Sequence, residues 1–438
     1  MKRITIAVFV FAFAVLLCAQ VQTGAGNLAG TWQGTLHVET GFRVVLKVSS
    51  DGQGGWKAEA LSIDQTPNPQ PVTSIAMKGG ELVFDVAEFG AHYRGTMSAD
   101  GNSIKGTLTQ GGADHPLDFD RATAETEWKA DSSPHKVQFV EVEPGVKLEV
   151  LDWGGVGRPL VLLAGLGFDA HDFDQFAPKL TAHFHVYGIT RRGFGASSTP
   201  EPTPENYSAT RLGDDVLAVM AALKIERPVL AGHSIAGEEL SSIGTRYPEK
   251  VAGLIYLDAG YAYAYYDPTA TKGNAQVDWS LVRHEMDALF TSLPTPERKA
   301  MLKQLVETDL PRFEKDMQEV EKQIAGMPDS TPPPPNSRLA RSAAAVQRGV
   351  EVYRGVKCPV LAIYAVPHDF SKMPGLDEKK RAEMTEQDKV DTGAQADGFA
   401  KGNPQARVVR IANADHFVFK SNEAEVLREI DEFVAGLP

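Results

Sequence analysis

Two rhythms of apolar residues divide the chain. From about 27 to 122, short segments alternate apolar and polar positions with a period of two. Residues 31–38, 42–48, 81–86, 92–97, 103–108 and 116–120 fit strands. Turn formers separate them at Asp51-Gly52, Gly79-Gly80, Asp100-Gly101-Asn102 and Gly111-Gly112. Short strands at this spacing predict a small antiparallel all-β domain, either barrel or sandwich. Residues 123–136 are polar and acidic around Ser133-Pro134 and read as a linker.

The rhythm changes at Val137. Residues 137–142 and 146–153 alternate as an antiparallel pair joined at Pro144-Gly145. The segment 159–163 is a continuous apolar run, as a strand buried on both faces requires, and 185–189, 228–231, 253–257, 359–364 and 406–411 follow as further strands. Helical patterns such as 211–223 lie between most of them. Strand–helix alternation predicts a mostly parallel eight-stranded α/β sheet with its first two strands as an edge hairpin. One connection, about 260–355, is far longer than the rest. It carries charged helical patterns at 296–305 and 312–324 and a proline run at Pro332 to Pro335. Placed after the sixth strand, it is expected to form a helical cap over the carboxyl ends of the strands, where open α/β sheets bind ligands.

The first 19 residues change the compartment. Lys2 and Arg3 precede an apolar run from Ile4 to Leu17 and then Cys18-Ala19-Gln20. This reads as a signal peptide cut after Ala19 or within the next few residues, so the protein is expected to be secreted or periplasmic; an uncleaved anchor is the other reading. Removal of the leader leaves Cys358 as the lone cysteine, so no internal disulfide is expected. The 438-residue chain carries a formal net charge of −13, which excludes a general attraction to nucleic acid or anionic membrane. No metal-ligand spacing, phosphate loop or dinucleotide fingerprint appears, so no cofactor or metal is implied.

Candidate chemistry centres on the strand–turn–helix stretch from Pro228 to Ile243. Its apex, Gly232-His233-Ser234-Ile235-Ala236-Gly237, places a serine on a sharp turn between small residues. The usual pattern is G-x-S-x-G; here Ala236 holds the second glycine position and Gly237 follows it. After the seventh strand comes Ala365-Val-Pro-His-Asp369, and after the eighth Asn413-Ala-Asp-His416-Phe417. With Thr190-Arg-Arg-Gly-Phe-Gly-Ala-Ser197, these segments make the chain from 137 to 438 resemble an α/β-hydrolase. The resemblance implies a Ser-His-Asp triad: Ser234 as nucleophile, His416 as base and Asp369 as acid, with Asp258 after the sixth strand as the alternative acid. It also implies an oxyanion hole from the backbone N–H groups of Ile235 and of Leu166 in Ala164-Gly165-Leu166-Gly167.

The function so implied is cleavage of carboxylic esters of small or medium apolar substrates. Amide, lactone or thioester cleavage uses the same parts and stays open, as does a non-catalytic binding role on a hydrolase fold. Ser in place of Asp at the elbow argues against epoxide hydrolase and haloalkane dehalogenase chemistry, and the oxyanion segment lacks the His-Gly-Gly-Pro-Gly run of proline iminopeptidases. Other readings are structural. His233 is expected to support the site from outside it, Glu238 and Glu239 to favour a helix N-terminus, and Asp214, Asp215 and Asp415 to be structural. Tyr261, Tyr263, Tyr265 and Tyr266 either line a pocket or pack the cap. In the β domain, Gly30-Thr31-Trp32 and Arg121 resemble the Gly-x-Trp and closing Arg of lipocalin-like barrels, against the alternative of a plain β module with Trp32 in its core.

Overall fold

The computed structural model describes residues 28–38, 40–65, 68–129, 131, 133–267, 269–270, 274–291, 295–325, 337–371, 373 and 376–438. Residues 1–19, expected from the sequence to be a signal peptide, and the proline run at 332–335 lie outside these residues. The N-terminal strands are β1 (Gly30–Val38), β2 (Thr40–Ser50), β3 (Trp56–Ser62), β4 (Gln70–Pro71) and β5 (Ser74–Lys78). They continue as β6 (Glu81–Val86), β7 (Ala91–Met97), β8 (Ser103–Gln110), β9 (Ala113–Pro116) and β10 (Phe119–Arg121).

All pairs are antiparallel, in the order β4-β3-β2-β1-β10-β8-β7-β6-β5, with β9 added beside β8. The two ends of that path, β4 and β5, are separated only by Val72 and Thr73. Edges joined by so short a connection require the sheet to curl into a barrel. Its interior is filled from alternate positions, for example Leu82, Phe84 and Val86 of β6. β3 and β5 carried too weak an apolar signal to stand out in the sequence. The inward residues of β3 include Ala58 and Ala60, and alanine alternation is faint.

Trp32 closes the barrel floor. Its indole N–H donates to the Leu28 carbonyl at 2.9 Å. The Arg121 guanidinium lies 4.1 Å over its ring and donates to the carbonyls of Ala29 at 2.8 Å and Gly101 at 3.1 Å. Gly30 has φ +132°, and a Cβ there would come within 2.9 Å of the same guanidinium. The Gly30, Trp32 and Arg121 arrangement is therefore one stacked, hydrogen-bonded lock.

The second sheet comprises β11 (Lys136–Glu143), β12 (Val146–Gly155), β13 (Arg158–Leu163), β14 (Phe184–Ile189), β15 (Val229–His233), β16 (Gly253–Leu257), β17 (Val360–Ala365) and β18 (Ala406–Ile411). Its order is β11-β12-β14-β13-β15-β16-β17-β18. The β11–β12 and β12–β14 pairs are antiparallel and the rest parallel. Every residue of β15, β16 and β17 is buried. Helices α1 (Ala177–Leu180), α2 (Ala209–Leu223) and α3 (Gly237–Arg246) connect the early strands. Between β16 and β17 lie α4 (Ala275–Thr291), α5 (Pro296–Gln304), α6 (Leu310–Ala325) and α7 (Arg338–Arg348). Helices α8 (Glu378–Gly402), α9 (Val418–Ser421) and α10 (Glu423–Ala435) follow. Among the described residues, no helix is long and apolar enough to cross a membrane.

The barrel is seated on the second sheet's loops. Phe42 of β2 packs against Phe168 and Phe417, each at 5.8 Å between ring centroids. The Glu88 carboxylate accepts a 2.8 Å hydrogen bond from the Leu339 N–H in the first turn of α7. One side of the barrel thus touches both the loop after β13 and the helices between β16 and β17.

Candidate active site

Ser234 stands between β15 and α3 with φ +52°, a conformation a non-glycine residue holds only where the surroundings impose it. Two glycines let the turn close. A Cβ at Gly232 would come within 3.0 Å of the Ala236 methyl, and one at Gly237 would collide with the Ala259 carbonyl. The offset glycine in the sequence is thus explained: Ala236 fits, and the crowded position is 237. The loop after β13 lies directly against this turn. A Cβ at Gly165 would come within 3.3 Å of the Ser234 Cβ and 2.9 Å of His233 Nδ1. Leu166 follows Gly165 immediately, and Ile235 follows Ser234.

Arg191 fixes this loop from beneath. Its guanidinium donates to the carbonyls of Ala164 at 2.9 Å and Gly165 at 3.3 Å, and forks onto Glu239 at 2.6 and 3.0 Å. All of this is buried. Glu239 is therefore a buried ion-pair partner, beyond the helix-terminus role expected for it. Only the final fold brings Arg191 to the loop.

The carboxylate that faces His416 is where the structure departs from the sequence expectation. His416 Nδ1 meets Asp258 Oδ2 at 2.6 Å. Asp369 instead accepts the Ser371 N–H at 2.8 Å and caps its own turn. The reason is the pleat. The segment after β17 forms a parallel bridge between His368 and Ala414, and adjacent residues in extended chain face opposite ways. His368 takes the inward position, which turns Asp369 away. Asp258 is fully buried with φ +46°. Its other oxygen accepts from Tyr261 Oη at 2.8 Å and the Ala365 N–H at 3.0 Å. Burial alone would raise the Asp258 carboxyl; hydrogen bonds and charge from His368 and His416 outweigh it and hold the group well below the usual range. A carboxylate facing Nδ1 fixes the proton there and leaves Nε2 as the basic nitrogen of His416.

His368 is a second imidazole on the same carboxylate. Its Nε2 lies 2.9 Å from Asp258 Oδ2 and its Nδ1 3.0 Å from Asp388. Burial opposes its charge, but the two carboxylates push it up to about 10. His233 behaves oppositely. Burial and the neighbouring His416 hold it well below its ordinary value, and its Nε2–H donates to the His416 carbonyl at 3.0 Å, tying the turn of Ser234 to the loop of His416.

The tyrosines divide in role. Tyr261 bonds Asp258, and a hydrogen bond to Ser234 acts on Tyr263 against the burial that raises its hydroxyl. Tyr265 packs at 5.7 Å on Phe399, and Tyr266 lies under Arg312. Two groups of described residues could hold a metal ion: Asp258, His368 and His416, and Asp131, His135, His171 and Asp174, each set with donor atoms within 4.8 Å of one another. The second joins linker residues to the loop after β13, so no sequence spacing marks it.

Glu238 is fully buried, and neither carboxyl oxygen has a hydrogen-bond partner among the described residues. Burial, then the neighbouring Glu239 charge, raises it well above 4.5. A carboxyl protonated in the fold and ionised in the unfolded chain costs stability as pH rises past its unfolded value. Glu238→Gln removes that cost. Its melting temperature should exceed the wild type's by a margin that widens from about pH 5 to about pH 8; a constant margin in thermal scans would contradict the assignment.

Comparison with known proteins gives the same frame. The Alpha/beta hydrolase family profile matches residues 160–429, more than half of the chain. The chain belongs to this family. Among curated relatives of this hydrolase, a fluoroacetate dehalogenase from Burkholderia sp is 30% identical over 145 residues, 33% of this chain and 45% of that protein. Bifunctional epoxide hydrolase 2 of Mus musculus is 30% identical over 124 residues, 28% of this chain and 22% of that protein. Serine hydrolase-like protein of Homo sapiens is 34% identical over 107 residues, 24% of this chain and 52% of that protein. The matches thus span about half or less of these relatives. A crystal structure of a hydrolase from Pseudomonas aeruginosa PA01 aligns with TM-score 0.42 and 20% identity over 68% of this chain and 98% of that one.

Proposed function

We propose that this hydrolase cleaves carboxylic esters of apolar substrates through an acyl-enzyme on Ser234. The observation that carries the reading is the Asp258–His416 hydrogen bond of 2.6 Å in the loop that His233 ties to the Ser234 turn. His416 Nε2 takes the hydroxyl proton as Ser234 attacks the carbonyl carbon, then returns it to the leaving alcohol. Asp258 holds the ring and stabilises its cation. The N–H groups of Ile235 and Leu166 receive the oxyanion. Water then attacks the acyl-enzyme by the same route.

Serine decides between this chemistry and that named for the dehalogenase and epoxide hydrolase relatives. Displacement at a saturated carbon by a serine oxygen would leave an ether, which water does not readily cleave. Attack on a carbonyl leaves an ester, which water does. The leader adds export from the cytoplasm to the proposal. The test is turnover of p-nitrophenyl acyl esters by wild type and Ser234→Ala, with fluorophosphonate labelling of both. The variant should lose labelling and all but about a thousandth or less of turnover; equal turnover overturns the proposal.

A further inference from the structure

The barrel mouth does not open to solvent alone. An apolar chamber of about 220 Å³ lies between it and the hydrolase, with Val44, Ala60, Phe84 and Leu108 on the barrel side and Leu166 and Phe168 on the other. Phe84 on its wall stacks at 4.8 Å on the buried Tyr93. Charged groups lining the chamber are already engaged, the buried Asp169 by the His171 N–H at 3.0 Å. Glu88 accepts the Leu339 N–H at 2.8 Å, and Arg338 donates to Thr199 at 3.1 Å and to the Gly195 carbonyl at 3.4 Å. The occupant such walls favour is uncharged and apolar.

Stereochemistry at the reacting carbon says which part of the substrate enters. The carbon bears four groups in the tetrahedral state. One is the Ser234 oxygen. The oxyanion points to the N–H groups of Ile235 and Leu166. The leaving oxygen must face His416 to be protonated, and on that side Phe417 is covered by Phe42 and Phe168. The remaining substituent is the acyl chain. The side chain of Leu166, whose N–H serves the oxyanion, lines the chamber.

We propose that this chamber is the acyl pocket, so that the β-barrel supplies most of the wall against which an apolar acyl chain is bound. The proposal rests on Ser234 being the nucleophile. It makes the substrate class an ester of an apolar, medium-length carboxylic acid, selected on the acyl and not the alcohol side. Each methylene entering the chamber should raise kcat/KM about threefold to fourfold until the space is full.

The experiment uses the full chain. p-Nitrophenyl esters from acetate to laurate are turned over by wild type, Ala60→Phe and Val44→Phe, beside a series of alkyl acetates. Wild type should favour longer acyl chains, with the alkyl acetate series nearly flat. Ala60→Phe and Val44→Phe should lose the long-chain preference by about tenfold or more. An unfolding midpoint close to the wild type's, read in urea, reports that each variant is folded. In wild type, decanoate should inhibit acetate turnover competitively and far better than butyrate. A long-chain preference untouched by a folded filling variant overturns the pocket, as does equal inhibition by decanoate and butyrate. Acetate turnover that survives Ser234→Ala overturns the underlying mechanism instead, so the two failures are distinguishable.

Discussion

Asp258→Asn should lower kcat for ester turnover by about ten-thousandfold, while Asp369→Asn leaves it within about twofold of wild type. The size follows from the tautomer. With a carboxylate 2.6 Å from Nδ1, His416 keeps its proton there and offers Nε2 to Ser234. An amide at 258 can turn its NH2 toward Nδ1, which moves the ring proton to Nε2 and removes the base. The isosteric change retains an oxygen for the Tyr261 hydroxyl and the Ala365 N–H, which bond Asp258 in the fold. His368 Nε2 also meets Asp258 Oδ2, at 2.9 Å, and in the variant it faces an amide instead of a carboxylate, so loss of activity with a lowered unfolding midpoint is the expected pair of measurements. Asp369 spends its carboxylate on the Ser371 N–H, a turn contact worth about 1 kcal/mol. If Asp369→Asn abolished turnover and Asp258→Asn did not, the assignment of the acid would be reversed.

Arg191→Met should cost about 3–5 kcal/mol of stability, read as a fall in the urea midpoint, because it leaves the Glu239 carboxylate buried without its partner. Both side chains are almost wholly buried, at 5% and 4% exposed, so water cannot replace the guanidinium. Adding Glu239→Leu should restore most of the midpoint, since an apolar pair of similar volume carries no uncompensated charge. Activity should not return with it. Arg191 also holds the Ala164 and Gly165 carbonyls, and those peptides position the Leu166 N–H. A displacement of about 1 Å there costs about a hundredfold in kcat. Recovery of both stability and kcat in the double variant would show that the guanidinium does not position the loop.

Much of this arrangement is legible in the residues. The apolar runs that became β15, β16 and β17 announce strands buried on both faces. The turn at Ser234 shows itself through its small neighbours, and His416 through its place after β18. The acid does not. Asp258 and Asp369 both follow strands, and choosing between them needs the facing of a two-residue step at His368, which depends on the bridge to Ala414. Arg191 and Glu239 are ordinary charged residues until the fold buries them against each other. Glu238 reads as a helix-terminus carboxylate, and only its burial beside Glu239 shows that its carboxyl is pushed well above the usual range. β3 escaped notice because its buried side chains include alanines. The shared chamber is least visible of all, since its walls come from segments as far apart in the chain as Val44, Leu166 and Leu339.

The first and last strands of the barrel pair with each other, Trp32 opposite Arg121, and the Ala122 N–H bonds the Thr31 carbonyl at 2.8 Å. The chain therefore enters and leaves this unit at one point. A unit with such connectivity joins the catalytic body by one chain junction, with the Phe42 contact to Phe168 and Phe417 as the packing that any exchange must keep. If the barrel is the acyl wall proposed above, selectivity and reactivity sit on separately heritable pieces, and drift in β2, β3 and β6 would alter which acids are accepted without touching Ser234, Asp258 or His416.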